Sequence, residues 1–111
     1  MASVNEDSTL PCYDIKSAEL SLVSLVLKTT DIQMLAVALA QQLGESPGFF
    51  DHDPVVIDVT SLGLTGGETL DLTDLTSVLR KNSLVPVAIK GAHPALLSMA
   101  KGLGLVDGSD A

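Results

Sequence analysis

Hydrophobic and polar positions along this chain switch between two periods. From Tyr13 to Lys16 they alternate, with Tyr13 and Ile15 on one face, as in a half-buried strand. Leu20-Ser-Leu-Val-Ser-Leu-Val-Leu27 begins by alternating and ends as a nearly continuous branched run, the pattern of a strand buried on both faces. The few small residues between the two runs predict an N-terminal β-hairpin, although no Asn-Gly or Gly-Gly turn joins them. Thr30-Asp-Ile-Gln33 has the spacing of a capping box. Ile32, Leu35, Ala36, Leu39 and Leu43 then recur at helical spacing, and Gly44 suits the position just past the helix end.

Further on, Pro54 to Val59 reads as a compact strand, and Leu62 to Thr69, with Gly63, Gly66 and Gly67, as a loop. Asp71 is placed to cap a helix that turns Leu72, Leu75, Val78 and Leu79 inward and ends on Arg80 and Lys81. Leu84 to Ile89 is another strand, in which Pro86 signals an edge or a bulge. Pro94 opens a last helix with Leu96, Leu97, Ala100 and Leu103 inward, ending near Gly102 or Gly104, and Leu105 and Val106 could start a final strand. The predicted fold is α/β: an N-terminal β-hairpin followed by alternating helices and strands (β-β-α-β-α-β-α), in one mixed sheet covered by helices joined through right-handed crossovers. Residues 1–11 form a loose polar leader, 12–106 the domain, and 107–111 the start of a linker.

Composition narrows the function. Aromatics are 3% of the 111 residues, so the core is aliphatic and no platform for stacking bases is available. Fourteen acids against six bases give a formal charge of −8. Such a field repels nucleic acid and anionic lipid, so neither is an expected partner and no direct membrane binding is expected. The longest hydrophobic run, Leu20 to Leu27, is far too short for a membrane span, and the first residues lack the basic and apolar regions of a signal peptide. The chain reads as a cytoplasmic protein. Its single cysteine, Cys12, excludes an internal disulfide.

Candidate chemistry is thin. Gly63-Leu-Thr-Gly-Gly67 lacks the Gly-Lys-Ser/Thr ending and the G-x-G-x-x-G spacing of a phosphate loop. Asp51-His-Asp53, Asp58 and His93 do not repeat at metal-ligand spacing. Cys12 sits in no motif, and no nucleophile elbow surrounds any Ser. No catalytic residue, metal or cofactor is therefore assigned, and the expectation is a protein that is not an enzyme. Phe49-Phe50 is different: adjacent loop residues diverge, so one ring is expected on the core and the other exposed as a contact anchor.

Three segments carry a resemblance. They are Ile15-Lys-Ser with its following aliphatic strand, Ala40 to Asp58 with Ser-Pro-Gly-Phe-Phe-Asp-His-Asp-Pro-Val-Val-Ile-Asp at its end, and Leu84-Val-Pro-Val-Ala-Ile-Lys-Gly91. In this order they resemble the N-terminal domain of the MinC family of septum-placement inhibitors, over residues 13 to 106. The resemblance implies a domain that binds the tubulin-like division protein FtsZ and antagonises its polymers. It further implies that MinD is met only through a C-terminal dimerisation domain lying outside this chain. Carried over residue by residue, it places the FtsZ contact on Lys16, on Gln42 at the end of the first helix, and on Phe49, which leaves Phe50 for the core. Gln42 stands where some members have a base, and Ser17 where Gly is usual. The domain is expected as a monomer or, if the hairpin exchanges, a domain-swapped dimer. The alternative reading is a phosphorylation-controlled switch like the anti-sigma-factor antagonists, suggested by Val56-Ile-Asp-Val-Thr-Ser61. That reading lacks the phosphorylatable serine, having Thr65-Gly-Gly-Glu in its place.

Overall fold

A computed structural model describes residues 12–45, 48, 50–63 and 70–109. The elements run β1 (Val23–Val26), α1 (Ile32–Glu45), β2 (Asp53–Asp58), a 3-10 turn (Thr60–Leu62), α2 (Leu72–Lys81), β3 (Leu84–Lys90), α3 (Pro94–Gly102) and β4 (Val106–Asp107). The strands form one sheet in the order β1-β2-β3-β4, and every pairing is parallel. Each helix joins two neighbouring strands in the same direction along the sheet. Three right-handed crossovers of this kind place all three helices on one face.

That face holds the core. Leu27, Val55, Ile57, Val59, Leu84 and Ile89 from the sheet pack with Ile32 and Leu39 of α1, Leu72, Leu75 and Leu79 of α2, and Leu96 and Ala100 of α3. The cluster is entirely aliphatic, as the scarcity of aromatics requires. Burying each such side chain contributes on the order of 2 kcal/mol, which is what holds helices to sheet. On the opposite face the register aligns Ser24, Val56, Ala88 and Val106. Gly108 lies across Ala88 and Val56, and its N–H donates to the Ile89 carbonyl at 2.8 Å. It helps keep Val56 at 5% exposure on a face that carries no helix.

Local signals place the helix ends. Asp71 caps α2 by accepting from the Asp74 N–H at 2.9 Å, and Arg80 and Lys81 occupy its last turn. Pro94 is the first residue of α3, and the His93 Nδ1 accepts from the Leu96 N–H at 3.3 Å. In α1 the expected Thr30 cap is replaced by its neighbour. Asp31 Oδ1 accepts from the Met34 N–H at 3.1 Å, while the Thr29 hydroxyl accepts from the Asp31 N–H at 3.0 Å. A carboxylate at this position also meets the positive end of the helix, which a hydroxyl does not. Gly44 does not stop α1, which continues to Glu45.

The N-terminal hairpin is a correction. Residues 12–22 form no strand, and the described sheet is wholly parallel rather than mixed, in the order β-α-β-α-β-α-β. Only the second half of the Leu20–Leu27 run enters the sheet. The link at Ser17-Ala18 supplies no residue suited to the left-handed turn conformations that hold a hairpin in register. The bulge expected at Pro86 is present: Val55 pairs with Pro86 and Val56 with Ala88, so Val87 is the extra residue. Pro86 has no N–H for the ladder, and the bulge absorbs the loss inside a central strand.

Candidate functional site

Helix α1 is apolar on two sides. Its inner side carries the buried Ile32 and Leu39. Its outer stripe is Met34, Val37, Ala38 and Gln41, spaced i, i+3, i+4, i+7 and all exposed. Met34 and Val37 present 59% and 64% of their surface to solvent. A helix apolar around most of its circumference is normally covered on both sides. Strand β1 is the sheet's edge, and it exposes Val26 on the same side as Ser24, the face that carries no helix. The extended segment leading into β1 exposes Tyr13, Ile15, Leu20 and Leu22, with Ile15 at 82%. Seven of the nine exposed large hydrophobics among the described residues thus fall in α1, β1 and the segment before it, with Met99 and Val106 the exceptions, and such a concentration marks a protein-contact surface.

Of the expected contact residues, Lys16 and Gln42 are among those described. Lys16 lies in the extended segment before β1, highly exposed, with its Nζ 4.0 Å from Asp14 Oδ2. A pair so exposed leaves the ammonium open to a partner. Gln42 is half-buried in the second half of α1. Phe49 lies outside the described residues. Phe50 is half-buried and packs against the core cluster. Sequence periodicity registered the inner side of α1 and missed the outer stripe of Met34 and Val37. The signal was there, since a single buried stripe needs no apolar residues at those positions.

The remaining sequence candidates do not converge. His52 Nδ1 sits 3.4 Å from Asp51 Oδ1, both on the surface. His93 is occupied as the cap of α3. Among the described residues no three His, Cys, Asp or Glu side chains come together. Cys12 is exposed. Asp58 ends β2 and accepts from the Thr60 N–H at 2.9 Å. The Thr60 hydroxyl and N–H, with a smaller contribution from Lys90, hold its carboxyl below the usual carboxylate range. Lys90 is its register partner on β3, so this group ties two strand ends together.

The sheet order matters here. Ligand crevices in parallel α/β sheets open where the strand order reverses and neighbouring crossovers leave to opposite faces. The sequential order β1-β2-β3-β4 contains no such reversal. The exposed apolar side chains of α1, β1 and the segment before it are suited to a macromolecule. Among the described residues no helix is long and apolar enough to cross a membrane.

The sequence has relatives among known proteins. Residues 13–86 match the family described as septum formation inhibitor MinC, N-terminal domain. A probable septum site-determining protein MinC of Bordetella petrii is 33% identical over 92 residues, which is 83% of this chain and 31% of that protein. Proteins of the same description from Shewanella baltica and Shewanella denitrificans are 32% and 34% identical, over 86% and 83% of this chain and 42% and 40% of their own lengths. The chain spans about a third to two fifths of the relatives it matches. On this evidence the chain belongs to the family of the MinC N-terminal domain.

Proposed function

We propose that this domain inhibits cell division by binding FtsZ and antagonising its polymers, helping to restrict where the septum forms. The observation that carries the reading is the exposure of Met34 and Val37 on the outer side of α1 and of Lys16 before β1, in a chain of the MinC N-terminal family. Lys16 supplies local positive charge on a domain of net charge −8, which favours encounter with an acidic partner that the whole-molecule field would repel. Gln42 and Phe49 complete the contact by family resemblance. The reading assigns no catalytic step, and it places the domain in the cytoplasm, where FtsZ polymerises. No contact with MinD is assigned to residues 12–106.

The test is sedimentation of FtsZ polymer with increasing amounts of the folded domain. The pelleted fraction is expected to fall. An unchanged pellet at large molar excess sinks the proposal.

A further inference from the structure

On the α2–α3 side of the domain lies a groove that the proposed contact does not use. It has a volume of about 460 Å³ and runs between α2 and the turn after α3. Thr73, Ser77, Arg80 and Lys81 of α2 line one wall, and Leu103 supplies an apolar wall opposite. Lys101, two residues before Leu103, belongs to the last turn of α3. Three of the chain's six bases are therefore gathered at the ends of two helices.

Helix ends account for only part of this charge. Each C-terminus carries roughly half a negative charge, so two helices offset about one cation of the three. Lys101 contributes to lowering the Asp107 carboxyl, after the hydroxyl and N–H of Ser109, so part of its charge is met there as well. Arg80 and Lys81 take part in no ion pair among the described residues. Among the described residues no carboxylate lines the groove. On a molecule with fourteen acids, a groove walled by a guanidinium and an ammonium that no described carboxylate pairs is a local reversal of sign.

We infer that this groove binds an acidic peptide segment in extended form. Helix C-termini expose carbonyls and no free N–H groups, so the groove lacks the amide cradle that holds a compact phosphate. Recognition falls to side chains alone. Arg80 and Lys81 suit carboxylates spaced along a chain, Thr73 and Ser77 are hydroxyls that bond to a peptide backbone, and Leu103 takes an apolar residue between the acids. The inference stands apart from the FtsZ reading, because it uses α2 and α3 and none of the β1–α1 residues.

The experiment is a titration of the isotopically labelled chain with a capped ten-residue peptide of alternating Asp and Leu, followed by amide shifts. Shifts are expected at residues 73–81 and 101–104. Arg80→Gln with Lys81→Gln should weaken binding at least tenfold while the domain stays folded, and Lys16→Glu should leave the affinity unchanged. A charge-reversed peptide of alternating Lys and Leu should not bind. Shifts that map elsewhere, an affinity indifferent to the double variant, or equal shifts with inorganic phosphate alone would each overturn the inference.

Discussion

Gly91 lies directly against the side chain of Thr60, with no room for a Cβ between them. The turn after β3 thus closes on the turn after β2, and Gly91 holds a positive φ of 80° to do so. Both demands exclude other residues. Gly91→Ala is expected to cost about 2–4 kcal/mol, from left-handed backbone strain of roughly 1–2 kcal/mol and the displacement of Thr60. Thr60→Ala combined with Gly91→Ala should recover only part of the loss, because the Thr60 Cα is also in the way. Urea denaturation of the two variants measures this, and a neutral Gly91→Ala refutes it.

Asp58 gives a pH dependence with a definite sign. Thr60 and Lys90 lower its carboxyl in the folded chain, so the unfolded chain binds its proton more tightly. The stabilisation is present above the ordinary carboxylate range and is lost as pH falls through the folded value. Asp58→Asn should therefore melt below the parent at neutral pH, and the gap should close on acidification from about pH 5 downward. Parallel melting curves over the whole range would remove Asp58 from the explanation.

Ser83 is the residue that turns the chain from α2 into β3, and it does so with a φ of 62°. Its N–H donates to the Arg80 carbonyl at 3.2 Å, while the Asn82 side chain donates to the Val78 carbonyl at 2.8 Å. The geometry already closes the helix end, so only the left-handed strain of a side chain remains. Ser83→Gly is expected to stabilise the domain by about 0.5–1 kcal/mol. A chemical-denaturation midpoint that falls instead would show that the serine side chain contributes more than its strain costs.

The contact flank and the core separate in mutagenesis. Met34→Glu with Val37→Glu changes exposed positions, so the melting temperature should hold while FtsZ sedimentation is no longer reduced. Phe50→Ala should do the opposite. Its ring packs on the core while half-buried, so truncation should cost about 2 kcal/mol of stability and spare the antagonism. Phe49→Ala should resemble the helix variant, with a binding loss on the order of 2 kcal/mol for a central aromatic anchor. Loss of antagonism in Phe50→Ala at temperatures where it remains folded would reverse the assignment of the two rings.

Local chemistry was legible in the chain itself. Asp71 and Pro94 mark the starts of α2 and α3, Pro86 announces its bulge, and the aliphatic runs at Pro54–Val59 and Leu84–Ile89 become the two central strands. These signals lie within a few residues of the structure they specify, and caps, prolines and periodicity act at that range. The contact roles of Lys16 and Phe49 come from family resemblance and belong to the proposed function. What neighbouring residues could not decide was pairing. Nothing local to Tyr13–Lys16 says whether it joins Leu20–Leu27, and the sheet instead starts at Val23 and pairs β1 with β2, some thirty residues on. Strand pairing is settled by which hydrophobic faces bury together once the loops close, and α1 closes this one by covering Leu27, Val55 and Ile57. The same tertiary choice put Met34 and Val37 outside. Periodicity along α1 shows two apolar sides, but only the packed sheet determines which of them is left for a partner.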